Sequence, residues 1–201
     1  MDFKNVGRVA AEIFSDKPKD VIEKNISAAK AGYAQGKRIF TRDTFLLKGS
    51  QVPISLLLNG NDAIALGAIK AGCKFYTAYP MTPSTSIMDT IAHYAHDFDI
   101  VVEQAEDEIA AVNMAIGASF AGTRSLCATS GGGFALMQEG ISLAGMTETP
   151  LVVIDAQRPA PATGFPTRTE QADLDFLIHA GHGEFAKVVY APGTIEEAFY
   201  L

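Results

Sequence analysis

Residues 103–133, EQAEDEIAAVNMAIGASFAGTRSLCATSGGG, leave the chain few choices of fold. Positions 109–120 carry no charge, and Ala or Gly recurs there at helical spacing. Such a helix presents no polar face, so it is predicted to be buried on most sides, with small side chains that let another backbone approach closely. An acidic cluster, Glu103, Glu106, Asp107 and Glu108, stands just before it. Acids at a helix start are favoured by the helix dipole and by capping. One of them can equally be held out of water to work on a ligand. The spacing leaves both uses open. An apolar strand and a Gly-rich turn complete the stretch.

The same alternation extends to either side. Strands are predicted at residues 73–79, 99–103, 123–129, 151–156 and 186–191, with residues 52–58 as a short strand or extended lead-in. Helices are predicted at 63–72, capped by Asn61 or Asp62, and at 86–96, 131–148 and 174–181. Continuous apolar strands separated by helices call for an α/β fold, a parallel sheet with helices on both faces joined by right-handed crossovers. Residues 1–48 differ. They offer helices at 2–14 and 21–32, then RIFTRDTFLL, and no core of their own. They are expected to form an arm or the tail of a preceding domain, with residues 48–50 as boundary and 49–201 as the α/β domain. A last helix begins at Thr194 and stops after about two turns, which is marginal for a helix. The chain is therefore expected to be a piece of a longer gene product, with the α/β domain incomplete at its C-terminal end.

Of 201 residues, 48% are hydrophobic and 19% charged, which suits a globular protein with a filled core. A net charge of −7 gives no reason to expect nucleic acid as a partner. No apolar run reaches the roughly 18–20 residues of a membrane helix, and no signal-peptide pattern is present. Cys73 and Cys127 lie in apolar segments without metal-ligand spacing, so buried thiols in a reducing cytoplasm are expected. The pairs His93/His96 and His179/His182 have no Cys or carboxylate motif beside them, and metal binding is not expected.

Ligands of open α/β sheets bind beyond the carboxyl ends of the strands. Four unusual stretches fall there: YPMTPST at 79–85, the acidic cluster, TSGGG at 129–133, and the loop starting at Arg158. Glycines after a strand let backbone N–H groups approach an anion or a flat ring, or simply make a tight turn. No GxGxxG follows a strand and no GxxxxGK[ST] occurs. Ser130 is no nucleophile elbow, because Ala128 stands where GxSxG needs Gly. The two prolines of YPMTPST lock the backbone around Thr82, either to present its hydroxyl or to let Thr82 cap a helix with Pro83 in its first turn.

YPMTPST, EDEIAAVNMAIGASFAG, ATSGGGFALMQE and DAQRPAPATGFPTRTEQADL occur in that order. Together they resemble the α subunit of 2-oxoacid:ferredoxin (or other acceptor) oxidoreductases, in its pyrimidine-binding domain for thiamine diphosphate. The resemblance covers residues 56–201, and residues before 50 resemble the end of the γ domain and linker that some members carry. It implies that a carboxylate lies against N1′ of the aminopyrimidine, favouring the 4′-imino tautomer whose nitrogen takes the C2 proton. Glu108, nine residues before Gly117, has the spacing for this role; Glu106 is second. The resemblance further implies that Arg158 holds the 2-oxoacid carboxylate, with Arg168 as runner-up. Thr82 would stand beside the reacting carbon, and Tyr79, Pro80, Ser130 and Gly131 would line the pyrimidine pocket.

The chain lacks a GDG…Asn pattern for Mg²⁺ and diphosphate and lacks a Cys cluster for iron–sulfur. The resemblance therefore implies a partner β subunit carrying both, with ferredoxin and coenzyme A as further partners and a dimer or higher oligomer. The implied activity is oxidative decarboxylation of a 2-oxoacid, such as pyruvate or 2-oxoglutarate, to acyl-CoA. Half of a non-redox thiamine-dependent decarboxylase and a non-catalytic assembly module of the same fold are the alternatives.

Overall fold

The computed structural model of the chain describes residues 3–40, 56–166 and 168–201. They fall into two compact units, Met1–Ser55 and Leu56–Leu201. The boundary expected at 48–50 lies outside the described residues, as do positions 41–47 of RIFTRDTFLL and 52–55 of the lead-in strand.

In the first unit, α1 (Phe3–Ile13) and α2 (Lys19–Ile39) pack together, with the Phe3 and Tyr33 rings 5.5 Å apart. Among the described residues, neither helix has a buried one. The helix expected to end at Gly32 runs on to Ile39. A helical Gly costs only about 1 kcal/mol relative to Ala, and Ala34, Gln35, Lys37 and Arg38 favour continuation.

The second unit begins with α3 (Gly60–Lys70). Its cap is Asn59, not Asn61 or Asp62: Asp62 N donates to Asn59 Oδ1 at 3.0 Å, and Asn59 N donates back to Asp62 Oδ2 at 3.3 Å. The three-residue spacing of Asn59 and Asp62 makes this reciprocal box possible. There follow β1 (Phe75–Ala78), α4 (Thr85–Tyr94), β2 (Val101–Gln104), α5 (Glu108–Phe120), β3 (Ser125–Thr129), α6 (Gly131–Leu136), α7 (Gln138–Met146), β4 (Val152–Asp155), α8 (Leu174–Ile178) and α9 (Ile195–Tyr200). The four strands form a parallel sheet in the order β2-β1-β3-β4, so the expected fold class holds.

The two-residue period of the strands sorts the core into two layers. Tyr76, Ala78, Leu126 and Ala128 pack with Ala65 and Ile69 of α3 and Ile87 and Ile91 of α4. Cys127 points the other way, into Ala111, Val112, Ala115 and Ile116 of α5 with Met137 and Ala144. Fully burying a side chain such as Val112 is worth roughly 1.5–3 kcal/mol. The small residues serve close approach: a Cβ on Gly140 of α7 would lie 2.6 Å from Val112 Cγ1. Both cysteines are free and buried, and burial pushes the Cys127 thiol up to about 12.

Four expectations need correction. α5 is buried along one face only; Ile109, Met114 and Phe120 are exposed. The single helix expected at 131–148 is interrupted at Met137, ψ −3°, whose side chain is fully buried. Residues 186–191 form no strand: among the described residues no sheet edge pairs with them, and Val188 stays 74% exposed. Finally, Ser84 rather than Thr82 stands at the α4 cap, with Pro83 before the helix; Ser84 Oγ donates instead to Met81 O at 2.7 Å. Among the described residues no helix is long and apolar enough to cross a membrane.

Candidate functional site

The loops after β1, β3 and β4 meet at the carboxyl edge of the sheet around a cavity of about 590 Å³. Its wall includes Met81, Gly131, Gly132, Arg158, Thr163 and Asp173. Arg158 stands three residues after the end of β4 and is only 6% exposed. Its Nη1 donates to the Thr82 carbonyl at 2.8 Å, and its backbone N donates to Asp173 Oδ2 at 3.3 Å. Its Nε is buried without a partner. A buried guanidinium with an unused donor suits an anionic ligand, because guanidinium and carboxylate can pair through parallel hydrogen bonds.

Behind the glycine turn lies Glu108, first residue of α5 and 3% exposed. Asp107 does the capping, accepting from Ala110 N at 2.7 Å. Glu108 is thus free of that duty, and its Oε1 is buried without a hydrogen-bond partner. An unsatisfied buried carboxylate oxygen costs on the order of 1–3 kcal/mol or more, and such costs are characteristic of functional sites. Glu103 and Glu106 are exposed. The structure therefore separates one acid from the cluster.

Gly133 explains the third glycine of TSGGG. A Cβ there would lie 2.1 Å from Thr129 Oγ1, 2.6 Å from Glu108 Cγ and 2.7 Å from Glu108 Oε1. Gly131 is similarly pressed, with Asp173 Oδ1 2.2 Å from its Cβ position. We expect Gly133→Ala to destabilise the chain by about 1–3 kcal/mol, the usual cost of overpacking, by driving Glu108 and Thr129 aside. Denaturant unfolding of the two chains measures this, and an unchanged midpoint would show that the neighbours yield freely.

The remaining sequence candidates are placed as follows. Thr82 is exposed and reaches Arg158 through its carbonyl rather than its hydroxyl. Ser130 is fully buried with an unpartnered hydroxyl. Tyr79 is exposed and Pro80 half-buried, and neither is part of the cavity wall. Arg168 is exposed and also outside that wall; its backbone N bonds Phe165 O at 2.9 Å. The histidines contact other groups: His182 Nε2 lies 3.1 Å from Glu139 Oε2, His179 Nδ1 2.9 Å from Asp175 O, and the His93 ring meets Tyr94 edge-on at 4.7 Å. Among the described residues no group of three or more His, Cys, Asp or Glu could hold a metal ion.

Sequence reasoning missed Asp155, Gln157 and Asp173. Asp173 N donates to Gln157 Oε1 at 3.0 Å, tying the start of α8 to the Arg158 loop. Asp155 carried a signal, as the one charge in the apolar run LVVID. Asp173 carried none, because it lies fifteen positions beyond Arg158, across a loop.

The family model described as pyruvate flavodoxin/ferredoxin oxidoreductase, thiamine diphosphate-binding, matches residues 66–201. The chain is 49% identical over 154 residues to 2-oxoacid:ferredoxin oxidoreductase 1, subunit alpha, of Sulfurisphaera tokodaii, covering 71% of this chain and 25% of that protein. It is 44% identical over 145 residues to the 2-oxoglutarate synthase subunit KorA of Archaeoglobus fulgidus, covering 72% of this chain and 42% of that subunit. Among solved structures, it matches a 2-oxoglutarate:ferredoxin oxidoreductase from Magnetococcus marinus with 2-oxoglutarate, coenzyme A and succinyl-CoA bound. There the TM-score is 0.82 and the identity 38%, over 98% of this chain and 34% of that one. The chain thus spans less than half the length of each of these relatives. With its parallel sheet, its glycine turn over a buried glutamate and a family match over most of its length, the chain belongs to the pyruvate flavodoxin/ferredoxin oxidoreductase thiamine diphosphate-binding family.

Proposed function

We propose that this chain is the pyrimidine-binding part of the α subunit of a thiamine diphosphate-dependent 2-oxoacid:ferredoxin oxidoreductase. The observation that carries this is the buried, unpartnered Oε1 of Glu108 beneath the Gly133 backbone. That atom and that cradle fit an aminopyrimidine: a flat ring can lie against glycine backbone, and a carboxyl can share a proton with its N1′. When bound, the cofactor supplies the nucleophilic carbon for the 2-oxo group and carries the electrons released on decarboxylation. Glu108 holds and moves the proton at N1′, Arg158 binds the substrate carboxylate, and the neighbouring loops exclude water.

Mg²⁺, the diphosphate contacts and the iron–sulfur cluster belong to a β subunit in this assignment, and ferredoxin and coenzyme A accept the electrons and the acyl group. The named relatives point to 2-oxoglutarate or a wider set of 2-oxoacids as substrate. The helices α1 and α2 are assigned to the tail of a γ domain, supported by a match to the Magnetococcus enzyme over 98% of this chain. Two free thiols suit a reducing cytoplasm.

Co-expression with a β subunit tests the assignment. Given thiamine diphosphate, Mg²⁺ and coenzyme A, the complex should reduce ferredoxin on addition of a 2-oxoacid. Release of aldehyde without reduction would make it a non-redox decarboxylase half. A complex that binds no thiamine diphosphate would leave only an assembly module.

A further inference from the structure

Three successive carbonyls in the loop after β1 are held by three different donors. Met81 O accepts from Ser84 N at 2.8 Å and from Ser84 Oγ at 2.7 Å. Thr82 O accepts from Arg158 Nη1 at 2.8 Å. Pro83 O accepts from Asn61 Nδ2, also at 2.8 Å. The first donor is local to the turn, and the second is the arginine of the cavity wall. The third reaches across from α3, 22 positions earlier in the chain. Asn is a poor residue for a helix interior and a good one for a cap. The cap of α3 is Asn59, however, so Asn61 has no duty there. Both hydrogens of its amide leave the helix instead, one to Pro83 O and the other to Ser86 Oγ at 2.7 Å.

The Thr82–Pro83 peptide needs such an anchor. Proline has no N–H, so this peptide group can only accept, and its one carbonyl is given to Arg158. Thr82 and Pro83 are both exposed, so packing does little to hold them. Their place is set by the bonds on either side, Ser84 to Met81 O before and Asn61 to Pro83 O after. Arg158 depends on that place in turn. Thr82 O is the one hydrogen-bond partner of its side chain among the described residues, and its Nε is buried without any. The guanidinium therefore takes its direction from the Thr82 carbonyl. A bidentate contact with a carboxylate is sensitive to that direction, because both N–H groups must meet both oxygens at once.

We propose that Asn61 is a positioning residue: by holding the Pro83 carbonyl it fixes the Thr82 carbonyl, and through it the Arg158 guanidinium that receives the substrate carboxylate. Asn61 stands outside the cavity wall and acts only through the loop. The proposal rests on the assignment of Arg158 to the substrate carboxylate.

The test uses the assembled complex. Asn61→Ala should raise KM for the 2-oxoacid roughly 3- to 10-fold, the scale of one lost hydrogen bond, with kcat held within about twofold. Asn61→Asp is nearly isosteric and suits the first turn of a helix, so it should fold, but its carboxylate cannot donate to Pro83 O; its KM should rise as well. A wild-type KM in either variant overturns the proposal. Asn59→Ala removes the cap of α3 and should lower stability without moving KM. An equal KM rise there would trace the effect to the helix start and overturn the proposal too. In the Arg158→Ala background Asn61→Ala should add nothing, because the two act as a unit, and an additive effect counts against it. Nitrogen-15 NMR of the 201-residue chain reads the guanidinium without substrate. The Nε–H resonance lost in Arg158→Ala should move in both Asn61 variants, while that of exposed Arg168 stays in place; an unmoved Arg158 resonance overturns the proposal. An unchanged KM in Arg158→Ala overturns the substrate assignment and the KM effect with it. The resonance tells that failure apart from failure of the link between Asn61 and Arg158.

Discussion

Exchange of the thiamine C2 proton in the assembled complex falls by about 10²–10⁴-fold when Glu108 is replaced by Gln, the usual loss for a positioned acid–base group. Gln keeps nearly the same shape and cannot hold or release a proton at N1′. The effect is specific because Glu108 has no visible structural duty. Asp107 caps α5, and Glu108 Oε1 has no hydrogen-bond partner among the described residues. The complex should still fold and still bind the cofactor, if less tightly. A glutamate that merely complements the helix dipole predicts something else: a loss of up to about 1 kcal/mol of stability and unaltered exchange. Hydrogen–deuterium exchange at C2, followed in the wild-type and Glu108→Gln complexes, separates the two. Equal rates would remove Glu108 from the mechanism. Glu106, the second candidate from the sequence, faces solvent and lacks the buried setting such a proton needs.

Arg158→Ala raises KM for the 2-oxoacid by roughly 30- to 1000-fold, the equivalent of about 2–4 kcal/mol for a lost charge-assisted contact. Cofactor affinity, proposed to rest on Glu108, the glycine turn and the diphosphate contacts of a β subunit, should change little. The guanidinium is buried in the cavity wall with one donor already spent on Thr82 O, so removing it leaves an anion no cation to meet there. Arg168→Ala, a change at an exposed position outside that wall, should behave like wild type. Steady-state kinetics on the two variants decides between them, and a KM effect confined to Arg168→Ala would transfer the role to the later loop.

Much of this was legible in the sequence because two local signals are strong. Apolar runs alternating with helical patterns dictate a parallel sheet, and strand ends gather the loops, so the sequence alone puts Arg158, Gly131 and the acidic cluster at one edge. The resemblance put Glu108 first by its distance from Gly117, while helix-start preferences alone left the acids level. The cap geometry of Asp107 and the contact of Gly133 with Glu108 supply the physical ground. Other features were hidden because they depend on partners distant in sequence. Asp173 reaches Arg158 across a long loop. The apolar run at 186–191 resembles a strand, but strand formation requires a neighbour, and nothing local reveals that none pairs with it among the described residues. Gly32 misled for the opposite reason: its local penalty is real but too small to stop a helix that its neighbours support.

The strand order β2-β1-β3-β4 has a consequence of its own. From β1 the chain winds outward to β2 through α4, and from β3 it winds outward to β4 through α6 and α7. The two connections leave the centre of the sheet in opposite directions and, by the core they bury, on opposite faces. Between the ends of β1 and β3 no crossover can pass, so a crevice opens there. Thr82 and Gly131 stand on its two lips because of the winding, not because of their chemistry. The location of the site is thus a property of topology, robust to substitution in every loop that lines it, while what it binds is left to those loops to decide.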